Sequence, residues 1–229
     1  MVNLNGLQGS HILSRKTKIL SLGGQPAALN EPEIIKEGEA LGSWYGYIVD
    51  GVITDTNHPA QPDAQVGDLK FRDIAGAPDA NNIPTGPDGK IDGNDRVILG
   101  HKDPTTLYSI NNNFSYKGLE LNVFFNGVTG NTIFNKTRQS LENLDGRRNS
   151  TTDVLNRYNG SNPGTNIPRA IQSGGTNHYG SENNSKFFED GSYLKLRNIT
   201  LAYNLPATIA KNYMQAIYAF MLADRIYGP

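Results

Sequence analysis

Two neighbouring stretches of the chain alternate apolar and polar residues with a period of two. From Leu107 to Tyr116 one parity holds Tyr108, Ile110, Asn112, Phe114 and Tyr116, and the other holds Ser109, Asn111, Asn113 and Ser115. Past Lys117-Gly118 the pattern resumes, with Leu119, Leu121, Val123 and Phe125 facing one way and Glu120, Asn122 and Asn126 the other. Continuous alternation on both sides of a two-residue turn predicts an antiparallel hairpin of Leu107–Tyr116 and Leu119–Val128 with Lys117-Gly118 at its tip. A third stretch, Ser192 to Leu205, places Leu194 and Leu196 on one parity and Ile199, Leu201, Tyr203 and Leu205 on the other. A β-bulge near Arg197-Asn198 would bring both sets to one face. Fully extended, its fourteen positions would span about 46 Å, more than a hydrocarbon core of about 25–30 Å.

Between these elements lies a long segment, Gly130 to Gly191, rich in Asn, Gly, Ser and Arg. Compact soluble domains rarely carry such a loop, whereas membrane barrels join strands by short turns at one end and long loops at the other. Upstream, Leu41 to Ile53 reads as a glycine-broken strand and Gly67 to Asp73 as another short one. The residues before Thr17 show no clean period. The stretch after Lys211 is apolar without alternation, which fits a short helix.

The polar face of the hairpin changes the picture most. A soluble sandwich would carry Lys, Glu and Thr there, but this face is mostly Asn and Ser, and aromatics sit at the ends of the apolar face, as in a barrel with aromatic girdles. The whole chain of 229 residues has 26 Asn, 25 Gly and 12 Pro, and its mean hydropathy is -0.49. No apolar run approaches the length of a membrane-spanning helix, which excludes a helical membrane protein and leaves a β-barrel open. A net charge of -1 lacks the basic footprint of a nucleic-acid binder, and Cys 0 removes disulfides, thiolate nucleophiles and cysteine-bearing metal centres. No charged and apolar leader follows Met1.

The chemistry on offer is sparse. Asp88-Gly89-Lys90-Ile91-Asp92-Gly93-Asn94-Asp95 matches the second half of a calcium loop, in which side-chain oxygens and one carbonyl surround the ion and a glycine makes the sharp turn. Asp88, Asp92, Asp95 and the Lys90 carbonyl would ligate Ca²⁺. Pro84 and Gly86 fall where the first two ligands belong, so Asp73 would have to fold back to complete the set. The alternative is a plain Asx-Gly turn. No nucleophile, metalloprotease or phosphate-loop motif is present, and His11, His58, His101 and His178 are scattered without ligand spacing, so an enzyme is not expected. Trp44-Tyr45 and Arg157-Tyr158-Asn159 could stack on sugar rings or simply pack.

Seven segments, in order and spacing, resemble the C-terminal part of the SusC/RagA family of TonB-linked (TonB-dependent) outer-membrane transporters. They are Leu20-Ser-Leu-Gly-Gly24, Gly42-Ser-Trp-Tyr-Gly-Tyr-Ile-Val-Asp-Gly51 and Gly67-Asp-Leu-Lys-Phe-Arg-Asp73, then Asp88-Gly-Lys-Ile-Asp92 with Asp95-Arg96. Phe114 to Phe125, Asn166-Ile-Pro-Arg-Ala170 and Glu189 to Tyr203 follow. The resemblance covers residues 17–206. It leaves 1–16 as an unmatched N-terminal segment and 207–229 as a divergent or truncated tail. It implies an all-β fold: an antiparallel meander forming an open, curved segment of a large barrel of about 22 strands with long extracellular loops.

For the full-length relative it implies import of an oligosaccharide or peptide, a SusD-like surface lipoprotein as cap, the TonB complex as energy source, and membrane lipid around the wall. The chain lacks the plug and the TonB box of that family. It is therefore expected to be a fragment that supplies six to eight strands and cannot close a barrel by itself. The rival expectation is a soluble calcium-dependent carbohydrate-binding β-sandwich.

Overall fold

The computed structural model describes residues 5–78, 84–142, 144, 149–172, 183–205 and 222–224. Fifteen strands are present among them, β1–β15 in chain order, with one α-helix, α1 (Lys136–Glu142). No helix among the described residues is long and apolar enough to cross a membrane. The chain divides into two compact units, the first made of Met1–Lys16, Asp103–Asn131 and Gly191–Pro229, the second of Thr17–Lys102 and Thr132–Asp190.

The first unit is a five-stranded antiparallel sheet. Its strands are β1 (Asn5–Ser14), β10 (Thr106–Tyr116), β11 (Leu119–Thr129), β14 (Tyr193–Tyr203) and β15 (Leu222–Asp224), in the order β1-β10-β11-β14-β15. The expected hairpin is β10–β11, with Tyr116 opposite Leu119. Its two-residue turn has both central residues at positive φ, Lys117 at 46° and Gly118 at 88°, the backbone whose twist matches the flanking strands. The expected bulge is present as well. Phe124 pairs with Asn198 but Phe125 with Leu196, so Arg197 is the extra residue. The shift carries Leu194, Leu196, Ile199, Leu201 and Tyr203 onto the face of Phe125, Val123 and Leu121, as the broken parity requires. The strand stops at eleven residues rather than fourteen.

Within the N-terminal segment, Asn5–Ser14 pairs with β10 from Ser115 to Thr106. Gly6, Gly9, Gln8 and Ser10 remove the alternation that would have marked this strand. Of the segment expected to be a tail helix, Leu222–Asp224 is a strand paired to β14, and the remainder lies outside the described residues. Among the described residues five strands make the sheet, and β1 and β15 pair on one side only.

The ends of this sheet differ. Ser14, Thr106 and Thr129 lie in one row and Val128 pairs with Tyr193, so both insertions of the second unit leave from the same end. At the other end the connection is the two-residue turn, where the Asn204 N–H donates to the Gly118 carbonyl at 2.7 Å.

The second unit holds four small sheets instead of barrel wall. Strands β2 (Ala28–Asn30), β3 (Glu33–Ile35), β4 (Ser43–Gly46) and β9 (Val97–His101) form one. β5 (Val49–Val52) pairs with β6 (Leu69–Phe71), β7 (Gly76–Pro78) with β8 (Pro84–Thr85), and β12 (Thr132–Phe134) with β13 (Phe188–Asp190). The glycine-broken strand of the sequence is thus β4 and β5, interrupted after Gly46. Every buried apolar residue among those described, from Ile34 and Trp44 to Phe187, belongs to this unit. Among its described residues the sheet unit has none.

Gly127 is the closest approach within the sheet. A Cβ there would strike the Tyr108 ring and the Tyr193 carbonyl, between which a hydrogen bond from Tyr108 Oη runs at 3.1 Å. Gly127→Ala is expected to destabilise the refolded chain by about 1–3 kcal/mol, read as a lowered urea midpoint, because neither the ring nor the backbone can yield without breaking that bond.

Candidate functional site

Segments far apart in sequence converge in the second unit. The Asp68 carboxylate is fully buried and receives the Arg169 guanidinium through Nε at 2.6 Å and Nη2 at 3.4 Å, while the Arg169 N–H donates to the Gly67 carbonyl at 2.7 Å. Arg72 forks onto Asp50 at 2.5 and 3.0 Å. Tyr47 stacks on Phe71 with centroids 4.8 Å apart, and the Arg96 guanidinium lies 5.0 Å above the Tyr47 ring. The motifs that lie on Gly42–Gly51, Gly67–Asp73, Asp95-Arg96 and Asn166–Ala170 are therefore each other's packing partners. Trp44 and Tyr158 also pack: Trp44 sits against Phe134 and Phe188, and Tyr158 against the cluster of Tyr47, Val52, Leu69 and Phe71.

Gln61 completes the β5–β6 pair. Its buried amide donates to the Leu69 carbonyl at 3.1 Å and accepts from the Phe71 N–H at 2.7 Å, so a side chain takes the place of a third strand. A cleft of about 320 Å³ lies between this pair and the loop Thr54–Gln61, with Asp50, Asp55, His58 and Lys70 at its polar positions and Val52, Ile53 and Phe71 at its apolar ones. His58 Nδ1 faces the Gln61 carbonyl at 3.0 Å. A carbonyl only accepts, so Nδ1 carries the proton. Nothing in the local sequence pattern marks this cleft beyond the Gly51 and Gly67 that bound its hairpin.

The acidic loop folds as a strap. Asp73 does fold back, accepting from the N–H groups of Asp88 at 3.2 Å and Gly89 at 2.7 Å. Asp88 accepts from the Lys90 N–H at 2.9 Å. Asp92 caps the short 3₁₀ turn Gly93–Asp95 by accepting from the Asn94 N–H, and the buried Asp95 returns the bond, accepting from the Asp92 N–H at 2.8 Å. The other Asp95 oxygen accepts from Ile74 at 2.7 Å and Ala75 at 3.2 Å. Among the described residues no three His, Cys, Asp or Glu side chains are placed together to hold a metal.

A second charged cluster ties α1 to the 3₁₀ turn Ser185–Phe187. Glu142 accepts from Arg138 at 2.7 Å and pairs with Lys186 at 2.9 Å, and Arg138 also reaches Glu189 at 3.0 Å. Burial pushes the Glu142 carboxyl up, but the hydrogen bonds and charges of Arg138 and Lys186 outweigh it and hold it below the usual carboxylate range. For Lys186 burial wins and pulls the ammonium below its ordinary value. The depressed carboxyl contributes stability above its unfolded value that is lost as pH falls through its folded value.

The sheet presents two unlike faces. On one, Asn122 Nδ2 donates to Asn111 Oδ1 at 2.8 Å and to Asn113 Oδ1, Asn198 Nδ2 to Thr200 Oγ1 at 2.9 Å, and Asn204 Nδ2 to Glu120 at 2.6 Å. On the other, Phe114, Leu119, Leu194, Leu201 and Tyr203 are each more than a third exposed.

No family model matches the chain. It is 32% identical over 203 residues to "TonB-dependent receptor P3" and 30% identical over 212 residues to "TonB-dependent receptor P26", both of Formosa agariphila. These matches take in 86% and 89% of the chain but 18% and 20% of the relatives, so the chain spans about a fifth of their length. Its fold is similar to part of the RagAB peptide transporter, with a TM-score of 0.69 at 20% identity over 98% of this chain and 24% of that one. The RagAB peptide importer in its "open-open" state matches with a TM-score of 0.65, 20% identity, and 90% and 21% coverage.

Proposed function

We propose, from the premise that this chain is part of a TonB-dependent receptor of the SusC/RagA kind, that its sheet is a stretch of outer-membrane barrel wall in a nutrient importer. Its connections Thr17–Lys102 and Thr132–Asp190 are then read as long loops. The observation that carries the reading is the sheet itself: among its described residues no apolar side chain is fully buried, yet it keeps apolar side chains in register across β10, β11 and β14. Lipid is the solvent that makes such a face favourable. From Tyr108 to Tyr116 the face spans about 27 Å along the strand, which suits an apolar band of about 25 Å on tilted strands. The Asn face would line a water-filled interior. A peptide or oligosaccharide is the cargo proposed for the whole receptor, with a SusD-like lipoprotein and the TonB complex as partners, and the likeness to RagAB supports the peptide. The work proposed is transport, with no catalytic step.

The absence of cysteine makes the test direct. Single cysteines at Asn111, Asn122 or Thr200 are expected to react with a water-soluble maleimide in the lipid-reconstituted chain. Cysteines at Ile110, Leu121 or Ile199 are expected to resist it. Equal labelling of the two sets would end the wall reading.

For Asp73, Asp88, Lys90, Asp92 and Asp95 we propose a structural strap in place of a calcium site, since the carboxylates already serve backbone N–H groups. Calorimetry at millimolar Ca²⁺ is expected to give no saturable heat. Saturable binding removed by Asp88→Ala or Asp92→Ala would make the loop a cation site and revive the calcium-dependent module.

A further inference from the structure

The polar face of the sheet changes character along its length. Towards the turn end it carries amides, hydroxyls and the Glu120 carboxylate, and near the loop-bearing end it carries two cations before the apolar row of Leu107, Val128 and Tyr193. Lys195 stands in a row with Asn126, Ser109 and His11, fixed by the pairing of four strands. Leu196 faces the apolar side opposite Phe125, so alternation returns Arg197 to the polar side, where Asn198 already pairs with Phe124. The bulge thus presents two consecutive side chains to one face, the way bulges re-aim side chains at working sites.

Lys195 and Arg197 are both exposed, and among the described residues neither has a carboxylate partner; the Lys195 ammonium lies 5.9 Å from the Tyr193 ring centroid. The acid on this face is Glu120. It lies six residues along β11 from Asn126, about 20 Å away, and its carboxylate already accepts from Asn204. That separation exceeds the screening length of about 8 Å in physiological salt. Two cations two positions apart repel each other and nothing described on the wall relieves them. Between them and His11, Asn126 Oδ1 is buried with no hydrogen-bond partner. The cluster therefore offers two exposed cationic donors for an anion, beside an amide oxygen that has no hydrogen-bond partner.

We propose that Lys195, Arg197 and Asn126 form a subsite on the water-facing wall for a carboxylate-bearing ligand, an acidic peptide or a uronic-acid oligosaccharide. This rests on the reading that the Asn face fronts water. Charges on a barrel's inner surface tune selectivity.

The test is calorimetric titration of the whole chain, refolded in dodecyl maltoside at low salt, with hexaglutamate, tri-galacturonate and hexaglutamine. One or both acidic ligands should bind and hexaglutamine should not. Lys195→Gln with Arg197→Gln should cut the affinity by about tenfold or more, and Glu120→Gln should leave it unchanged. Hexaglutamate binding alone identifies a peptide as the source of the carboxylate, and tri-galacturonate binding alone a sugar. Equal binding of hexaglutamate and hexaglutamine, no binding of either acid, or indifference to the double substitution overturns the subsite. The cysteine at Asn122 separates the two failures: if it reacts with aqueous maleimide while the acids do not bind, the wall reading stands and the subsite falls.

Discussion

Replacing Arg169 by alanine is expected to cost the loop-borne unit about 3–5 kcal/mol, the penalty for leaving a buried charge without its partner. Asp68 is fully buried and its carboxylate would keep only the Gln65 N–H, at 2.9 Å, after the guanidinium is gone. The comparison that isolates the effect is the exposed pair Arg15–Asp103, which has the same chemistry at 3.0 Å but side chains 56% and 59% exposed. Water already solvates those two charges, so Arg15→Ala should change stability by less than about 1 kcal/mol. Trp44 is the lone tryptophan and sits in the second unit's core at 8% exposure, so its fluorescence during urea denaturation reports on that unit. Combining Asp68→Asn with Arg169→Met should recover much of the loss, because the amide no longer needs a cation. If Arg169→Ala alone leaves the urea midpoint where it was, the pair is not what joins residues 67–73 to 166–170.

The same pair shows what a sequence does and does not disclose. Period two along residues 107–128 determined the hairpin and its faces, since a strand has no other way to separate apolar from polar side chains. The parity switch at Arg197-Asn198 located the bulge for the same reason. β1 stayed invisible because an edge strand with Gly6 and Gly9 keeps its ladder without alternating side chains, and pairing with β10 decides its conformation. The short strands of the second unit are held by contacts of high sequence separation, such as Asp68 with Arg169 and the Gln61 amide with β6, and no local pattern records them. The resemblance named the segments that meet without saying that they meet. In the acidic loop the spacing suits a cation as well as it suits backbone N–H groups, and what no local pattern records is that Asp95 accepts from Ile74 and Ala75.

Val123→Arg is expected to destabilise the lipid-reconstituted chain by about 2–4 kcal/mol, and Asn122→Arg, one residue away, by about 1 kcal/mol or less. Val123 is the middle of the apolar face. The row of Leu119 holds Tyr116 and Tyr203, the row of Gly127 holds Tyr108, and each lies four residues from Val123, about 14 Å along the strand. Aromatic rows at those distances are where the two interfaces of a hydrocarbon band would fall, which puts Val123 at its midplane. An arginine there faces Ile199 on β14 and an uncharged amide, Asn112, on β10, and it must reach past Leu121 or Phe125 to find headgroups. An arginine at Asn122 points to the opposite face, beside Asn113 and Thr200, where water hydrates it. Because a strand alternates, the two variants share strand, charge and nearly the same depth, and differ in the face that receives the guanidinium and in the amide bonds that Asn122 gives up. Equilibrium unfolding by urea from lipid vesicles reads the difference. Equal midpoints for the two variants would mean that both faces meet the same solvent, and the sheet would then have to find its apolar partner in another protein surface instead of lipid.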